Sequence, residues 1–206
     1  GNKSALIAME SHGREDLFDD VDISRTVGWF TSMYPVILSV DLPWDIGETI
    51  KSVKEQLRAI PKNGIGYGLL KYLAEVGVRR QMAEIPDAEI SFNYLGQFDQ
   101  VLPDSSLLKL AKESRGSDRD GGGTQSVLLD ISSGVLKGRL TLEWKFSVEL
   151  FNTTTIEELA EKYNNHLRNI IEHCTSAHAE GFTPSDFPLA DIDQKELDKL
   201  LGKLKG

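Results

Sequence analysis

The sequence predicts an α/β (α+β) fold, a two-layer sandwich in which a mixed β-sheet carries helices packed mainly on one face. Two observations predict it. Runs of β-forming residues and segments of helical periodicity follow in the order β-β-α-α-β, then a β-hairpin, then α, which is not the regular alternation of a Rossmann domain. Hydrophobic residues make up 40% of the 206 residues, which is enough to bury a core.

The first two predicted strands flank a polar, irregular segment. The apolar run 5–9 ends abruptly in ionisable and turn-forming residues, a pattern that predicts a buried strand with polar side chains at its end. Residues 12–28 show no periodicity. The run 34–40 is rich in β-formers and predicts the second strand, with Pro35 at its start, where a missing N–H is tolerated.

Two helices are predicted next. Asp45 and Glu48 match a capping box, and apolar residues then recur at helical spacing as far as Pro61. The glycine-rich sequence 64–68 leads into a second predicted helix over 69–75. Because its GxGxG pattern differs from the dinucleotide fingerprint and no strand leads directly into it, we interpret these glycines as turn residues.

A third strand is predicted over 89–96, followed by a long loop over 97–124 that ends in three glycines. A loop of this length within a compact domain is usually functional or mobile. Residues 124–151 carry the clearest strand pattern, which predicts a long hairpin that turns at Ser133 and Gly134. The second strand of this hairpin is expected to bury one face, made of Leu140, Leu142, Trp144, Phe146, Val148 and Leu150.

The last predicted elements are a long helix and a tail. Thr155 and Glu158 match a capping box for a helix whose apolar residues lie on one face. We predict a main domain over 1–180, followed over 181–206 by a proline-containing linker and a short amphipathic helix, residues 194–204. The leucine-rich face of this helix allows two interpretations, binding in the groove of a partner or packing on its own domain.

The composition disfavours several classes of partner. The chain has 23 basic and 32 acidic residues, a net charge of −9, and no basic run, which disfavours nucleic acid and an anionic membrane surface as partners. The single cysteine, Cys174, excludes an internal disulfide and a CxxC zinc pattern. No apolar stretch approaches the length of a membrane span, and the N-terminus does not resemble a signal peptide. We therefore expect a cytoplasmic protein and, because the chain begins abruptly in a strand, a fragment of a longer one.

Glu10 is the strongest candidate for chemistry. The four histidines form no metal-binding pattern, so no metal site is predicted. A carboxylate at the end of a buried strand is partly desolvated, which raises its pKa towards neutrality and suits it to proton transfer. Arg14 would oppose this shift if the two side chains paired. From these residues alone, a proton-transfer site and a structural salt bridge both remain open.

Four ordered groups of residues resemble the epimerization domains of nonribosomal peptide synthetases, and together they span almost the whole chain. They are Glu10-Ser-His-Gly-Arg-Glu15 followed by Asp22-Ile-Ser-Arg-Thr-Val-Gly-Trp-Phe-Thr31 and Pro35-Val36, then Pro61-x-x-Gly-Ile-Gly-Tyr-Gly68, Phe92-Asn-Tyr-Leu-Gly-Gln97 and Thr183-Pro-Ser-Asp-Phe-Pro188. Domains of that family have two lobes, each similar to chloramphenicol acetyltransferase. The resemblance therefore implies a chloramphenicol-acetyltransferase-like fold. Since the His-His-x-x-x-Asp-Gly motif of the first lobe is absent, it also implies that this chain is the C-terminal lobe alone.

The resemblance also implies a reaction and partners. The reaction is inversion of the Cα of an aminoacyl or peptidyl thioester, carried on the phosphopantetheine arm of an upstream peptidyl carrier domain, with no cofactor bound directly. Inversion requires proton-handling groups on both faces of a planar enolate. The chain is therefore expected to be inactive without the N-terminal lobe of the same domain, and its tail is expected to lead to a downstream condensation domain.

Matching positions imply the site residues. Glu10 matches the acid/base glutamate of the family. Asn93 and Tyr94 match positions that orient the substrate or stabilise the enolate oxygen. His12 and Arg14 are expected to support the loop rather than to take part in the chemistry.

Ser11 departs from the family pattern, which usually has glycine directly after the glutamate. If that position requires a positive φ, serine costs about 1 kcal/mol there and could displace Glu10.

Two alternatives remain, a second enzyme of the same fold and, from another functional class, a non-catalytic lobe. A condensation domain shares the fold but forms the peptide bond, although the segments around Glu10 and Asn93 favour epimerization. Alternatively, the lobe could be non-catalytic, with its tail docking a downstream partner.

Overall fold

Five strands form one mixed sheet in the computed structural model, in the order β2-β1-β3-β4-β5. The structure describes residues 3–41, 44–98, 107, 111, 113, 116, 126–176, 181–190 and 192–204. The strands are β1 (Ser4–Ser11), β2 (Ser32–Ser39), β3 (Ile90–Gln97), β4 (Leu129–Leu136) and β5 (Arg139–Phe146). β3 runs parallel to both β1 and β4, whereas β2 and β5 pair antiparallel at the two edges, which confirms the predicted mixed sheet.

The strand register separates an apolar face of the sheet from a polar one. Successive side chains of a strand point to opposite faces, so residues paired across the sheet share a face. One row of paired residues is apolar or aromatic and consists of Tyr34, Met9, Phe92, Ile131 and Trp144. The next row lies on the opposite face and carries Met33, Glu10, Asn93, Ser132 and Glu143. The predicted catalytic residue therefore lies on the polar face.

Six α- or π-helical segments, besides two short 3₁₀ turns at Pro61–Gly64 and Pro184–Asp186, accompany the sheet within the described part of the chain. They are α1 (Ile46–Arg58), α2 (Ile65–Gly68) continued by a π-helix (Leu69–Leu73), α3 (Val76–Ala83), α4 (Thr153–Thr175) and α5 (Gln194–Leu204). Ile156 of α4 packs on Leu129 and Ile131, and the rings of Trp144 and Tyr163 meet edge to face with centroids 5.7 Å apart. The core therefore lies between α4 and the apolar face, as the predicted two-layer sandwich requires.

The first predicted helix is confirmed, whereas the second is displaced. The side chain of Asp45 caps α1 by accepting a hydrogen bond of 2.8 Å from the backbone N–H of Glu48. The helix predicted over 69–75 already begins at Ile65 and ends at Leu73, so part of the glycine-rich sequence is helical. α3 was not predicted from the sequence, and none of its residues is buried.

The predicted hairpin exists, but its turn lies four residues later than expected. Ser133 and Gly134 belong to β4, and the chain reverses at Lys137 and Gly138, whose φ angles are 53° and 67°. Two consecutive positive φ values are typical of the two-residue type I′ turn, whose twist matches that of the strands. Because β5 ends at Phe146, the predicted buried face is shorter than expected, and Val148 and Leu150 are 74% and 64% exposed.

Two further boundaries differ from the prediction. Pro35 lies inside β2 rather than at its start, and the edge position of β2 explains this because one side of an edge strand needs no ladder hydrogen bonds. The capping residue of α4 is Asn152 rather than Thr155, which lies within the helix. Most of the long loop predicted over 97–124, including its three glycines, lies outside the described residues.

The segment predicted as a linker is bound to α1. Thr183 is fully buried, and a short 3₁₀ turn, Pro184–Asp186, follows it. Asp186 forms ion pairs with Lys54 at 2.5 Å and with Arg58 at 2.8 Å. In α5, Leu197 is 3% exposed, which favours packing of this helix on its own chain. The division of the chain at residue 180 stays a prediction.

Among the described helices, none has the length and apolar character that a membrane span requires.

Candidate active site

A cleft of about 480 Å³ opens where β1 and β3 end and β2 begins. This location follows from the topology, because the carboxyl ends of the parallel strands β1 and β3 lie at the same edge of the sheet. The cleft brings four predicted residues together, namely Glu10, His12, Asn93 and Tyr94. Arg14 is not part of the lining. The other lining residues are Ser11, Thr31, Tyr34, Asn63 and Leu95.

The carboxylate of Glu10 is held by the side chain of Asn93. The amide Nδ2 of Asn93 donates a hydrogen bond of 2.5 Å to Oε2 of Glu10. The parallel register produces this contact, because Met9 pairs with Phe92 and the following residues therefore share one face. Hydrogen bonds to a carboxylate are stronger than those between neutral groups, so this one fixes the direction of the Glu10 side chain.

The backbone around Asn93 is fixed as well, and it exposes the next two residues. The hydroxyl of Ser133, which is 5% exposed, donates to the backbone carbonyl of Asn93 at 3.3 Å. The pairing of β3 with β4 then shifts between Tyr94 and Gln97. Such a bulge redirects side chains. Tyr94 and Leu95 are 51% and 55% exposed and form one wall of the cleft.

Two glycines allow close backbone contacts beside the cleft, and both lie in segments that resemble the epimerization domains. Gly13 has a φ of +66°, and a Cβ there would lie 1.6 Å from the carbonyl oxygen of Phe30. Gly64 has a φ of +76°, and a Cβ there would lie 2.1 Å from the ring of Tyr34. Glycine is required at both positions because its missing side chain permits both the conformation and the approach.

His12 and Arg14 bind to the irregular segment between β1 and β2. The backbone N–H of Arg14 donates to Nδ1 of His12 at 2.9 Å. The guanidinium of Arg14 donates to the carbonyl oxygens of Ile23 at 2.7 Å and Thr26 at 2.8 Å. It also lies 4.3 Å from the centre of the Phe30 ring, which is a cation–π contact. These contacts join the two ends of the segment and keep it against the sheet.

The expected strain at Ser11 does not occur. Ser11 is the last residue of β1 and pairs with Ser32, and its φ is not positive. Serine therefore fits this position without the cost that a left-handed conformation would bring. The positive φ on which that cost depended is not present, and Ser11 gives no reason to expect a displaced Glu10.

Four further residues that were not predicted as site residues also line the cleft, namely Thr31, Tyr34, Asn63 and Leu95. Tyr34 is partly buried, and burial, together with the negative charge of Glu15, raises the pKa of its phenol. Thr31 and Asn63 lie within segments that resemble the family, and Tyr34 directly precedes another such segment, so the sequence carried a signal for them. What the sequence could not show is that these segments meet at one edge of the sheet.

Comparisons with known proteins agree with this geometry. A family model described as "Condensation domain" matches residues 1–192. Two curated proteins of Brevibacillus parabrevis, linear gramicidin synthase subunits C and B, are 49% and 48% identical to the chain over 206 residues. Both alignments cover 98% of this chain, whereas the chain spans only 3% and 4% of the length of these relatives.

A solved structure gives the same result for the fold. The crystal structure of the epimerization domain from the third module of tyrocidine synthetase B matches with a TM-score of 0.75 and 38% identity. The match covers 84% of this chain and 38% of that one. The predicted fold class is thereby confirmed. The roles assigned to Glu10, Asn93, Tyr94, His12 and Arg14 stay predictions.

Proposed function

This chain belongs to the condensation-domain family of nonribosomal peptide synthetases, which has a chloramphenicol-acetyltransferase-like fold, and from this premise we propose that it is the C-terminal part of an epimerization domain. The proposed reaction inverts the Cα of an aminoacyl or peptidyl thioester, from L to D, on the phosphopantetheine arm of a carrier domain. The observation that carries the proposal is the carboxylate of Glu10, which lines a cleft and is oriented by Asn93.

Glu10 is the proposed acid/base residue. The α-proton of a thioester is removed most easily when the resulting enolate is stabilised, and a carboxylate within reach of Cα can accept that proton. The amide of Asn93 donates a hydrogen bond to Oε2 of Glu10 and so fixes the direction in which the carboxylate faces the cleft. Inversion also needs a second group on the opposite face, which we assign to the first lobe of the domain, outside this chain.

Asn93 and Tyr94 are proposed to have different roles. The contact between Asn93 and Glu10 makes Asn93 the residue that orients the base. Tyr94 lines the same cleft and is half exposed, so its hydroxyl is available to donate to the thioester oxygen as negative charge develops there. His12 is less suited to the chemistry, since its Nδ1 accepts from a backbone N–H and its Nε2 faces Glu15 at 3.7 Å.

Two observations bear on the choice between epimerization and condensation. The solved structure with 38% identity and a TM-score of 0.75 is named as an epimerization domain, which supports inversion. The family model is named for condensation, so formation of a peptide bond is the second candidate function. A condensation domain would join two carrier-bound substrates and leave the configuration at Cα unchanged.

The test uses the complete two-lobed domain and a carrier protein loaded with an L-aminoacyl thioester. Replacing Glu10 with glutamine removes the proton acceptor but keeps the size of the side chain. We expect Glu10→Gln to lower the rate of inversion by roughly 10²–10⁴-fold or more, because this is the contribution of a positioned acid/base group. The measurement is the D/L ratio of the released amino acid, together with deuterium uptake at Cα from heavy water.

A matched control is Glu161→Gln, which makes the same change at an exposed position of α4. This variant is expected to invert at the wild-type rate. Near-normal inversion by Glu10→Gln would remove the proposed role of Glu10. Peptide-bond formation without inversion by the wild-type domain would assign the chain to condensation instead.

A further inference from the structure

Glu15 lies at the centre of several residues that line the cleft, although it does not line the cleft itself. Its side chain is only 12% exposed. Its Oε1 accepts a hydrogen bond from the hydroxyl of Ser11 at 3.4 Å and lies 3.7 Å from Nε2 of His12. Its Oε2 accepts a hydrogen bond of 2.9 Å from the amide of Asn63. One carboxylate therefore contacts two separate segments of the cleft lining.

The contact with Asn63 fixes a turn with an unusual backbone. Asn63 and Lys62 have φ angles of 48° and 47°, in the left-handed region that non-glycine residues rarely adopt. Conformations of this kind persist only where the surroundings hold them, and they concentrate at functional sites. Two hydrogen bonds hold this turn, one from Asn63 to Glu15 and one from Lys62 to the carbonyl oxygen of Asp16 at 3.0 Å.

The same turn also places Tyr34. The residue after Asn63 is Gly64, whose Cα lies against the ring of Tyr34. The charge of Glu15 also acts on the phenol of Tyr34, whose pKa is raised first by burial and then by this charge. A movement of Glu15 would therefore be transmitted to Ser11, His12, Asn63 and Tyr34, which are four of the nine lining residues.

We propose that Glu15 is a positioning residue, whose carboxylate holds the strand end at Ser11 and the turn at Asn63 in the arrangement that the cleft needs around Glu10. The inference rests on the proposed function, because it assigns Glu15 a role in the same site. Glu15 does not exchange a proton with the substrate. It acts through the two segments that it joins.

The experiment measures turnover by the complete domain with its carrier-bound substrate. We expect Glu15→Ala to lower kcat by roughly 10- to 100-fold, because a displacement of about 1 Å in an active site has an effect of this size. KM should change less than kcat, since Glu15 lies outside the cleft lining. Glu15→Gln keeps an oxygen that can accept from Asn63 and should recover most of the lost rate.

A double-mutant cycle tests whether Glu15 acts through Asn63. If it does, Glu15→Ala combined with Asn63→Ala should lose little more than the worse single variant, because both remove the same contact. Lys62→Ala is the matched comparison. It alters the same turn but removes a different contact, the one with Asp16, so adding it to Glu15→Ala should lower kcat further, whereas adding Asn63→Ala should not. A further loss of kcat when Asn63→Ala is added to Glu15→Ala would overturn the proposal.

A stability control separates positioning from general folding. Asp186→Ala removes another carboxylate with several contacts. Asp186 lies outside the cleft lining, and its partners Lys54 and Arg58 belong to α1. The substitution should lower the unfolding midpoint and leave kcat per folded molecule unchanged, and an equal loss of kcat would overturn a specific role for Glu15. If the wild-type domain inverts its substrate and Glu15→Ala has the same kcat, the positioning role of Glu15 is refuted, while the proposed function stands. A wild-type domain that forms peptide bonds without inversion would refute the proposed function, and the same variants would then test Glu15 on that reaction.

Discussion

Two glutamates of one short segment have different surroundings, and these surroundings suit them to different tasks. Glu10 is half-buried, lines the cleft and receives the amide of Asn93. Glu15 is nearly buried, and its two oxygens face Ser11, His12 and Asn63. A carboxylate that exchanges protons with a substrate must be reachable, whereas one that joins two segments need only have donors on several sides. The difference between the two roles thus follows from accessibility rather than from residue type.

Gly64 allows a prediction at the same scale. Gly64→Ala would place a Cβ 2.1 Å from the ring of Tyr34 at a φ of +76°, so both the contact and the backbone conformation would be unfavourable. We expect the free energy of unfolding to fall by about 2–4 kcal/mol, the sum of overpacking and of a left-handed conformation for a residue with a side chain. Urea denaturation of the variant and the wild type measures this difference.

The neighbouring glycine supplies the control. Gly66 lies in α2, and a Cβ there would meet nothing within 4 Å. Gly66→Ala is therefore expected to be neutral or to raise the free energy of unfolding by up to about 1 kcal/mol, because alanine favours helix. If the two variants had equal stabilities, the close packing of Tyr34 on Gly64 would not matter to the fold.

At the scale of elements, the turn at Pro184–Asp186 is attached to α1 by a group of charges. Lys54 and Arg58 both contact the carboxylate of Asp186, which also accepts from the backbone N–H of Thr183 at 3.0 Å. The ammonium of Lys54, this backbone N–H and the guanidinium of Arg58 hold the pKa of Asp186 well below its usual range. Ser185 adds a hydrogen bond to Glu55 at 2.5 Å. A segment with a linker-like sequence is therefore part of the folded unit.

The lowered pKa of Asp186 predicts how the stability depends on pH. The folded-state pKa lies below the ordinary value of 3.8, so the native state favours the ionised carboxylate. This contribution is present above the ordinary value and is lost as the pH falls from there towards the folded-state pKa. We therefore expect Asp186→Asn to lower the unfolding midpoint at neutral pH, and the difference from the wild type to shrink as the pH drops below about 3.8.

Asp87→Asn is the matched control for this measurement. Asp87 also pairs with a lysine, Lys71, at 3.0 Å, but its side chain is 84% exposed. Exposed ion pairs contribute little to stability, so the unfolding midpoint of this variant should match that of the wild type at every pH. If the unfolding midpoints of Asp186→Asn and the wild type differed by the same amount down to strongly acidic pH, the proposed ionic attachment would be contradicted.

The strands were predictable where one face is buried, and the turns between them were not. The alternation of Leu142, Trp144 and Phe146 predicted β5 because these side chains cover the core. The turn was harder to place, since Ser133-Gly134 and Lys137-Gly138 both have turn-forming composition. The pairing of Ile131 with Trp144 decides between them, and it depends on packing across the sheet rather than on local sequence.

The candidate site was predictable only in part, for a similar reason. The end of β1 and the segment around Asn93 carry enough polar residues and matching positions to indicate Glu10 and Asn93 from sequence alone. Tyr34 and Asn63 reach the cleft through the antiparallel pairing of β2 and through a turn held by a distant carboxylate. Such contacts between segments far apart in the chain leave no periodic signal in the sequence.

At the scale of the whole molecule, the chain supplies a single proposed acid/base group. Glu10 approaches the cleft from the polar face of the sheet, and inversion needs a proton to return from the opposite side of the enolate. The match to the solved epimerization domain covers only 38% of that chain, so a complete domain of this kind has further residues to contribute.

The segment beside the cleft also exposes large apolar side chains, among them Phe18, Val27 and Trp29, at 65%, 100% and 91%. Exposed apolar groups of this kind are typical of surfaces that are covered in an assembly.

The proposed function predicts that the chain by itself does not invert a carrier-bound aminoacyl thioester. One base on one face can remove the α-proton and return it to the same side, so carrier-bound L-substrate should stay L when only residues 1–206 are present. Two measurements are made separately, the exchange of the α-proton with heavy water and the configuration at Cα. Slow exchange with retained configuration would still agree with a single base. Supplying the proposed N-terminal lobe should allow formation of the D-form, and this activity should depend on Glu10. If the isolated chain produced D-substrate, both proton-handling groups would have to lie among its own residues, and the requirement for a second lobe would be wrong.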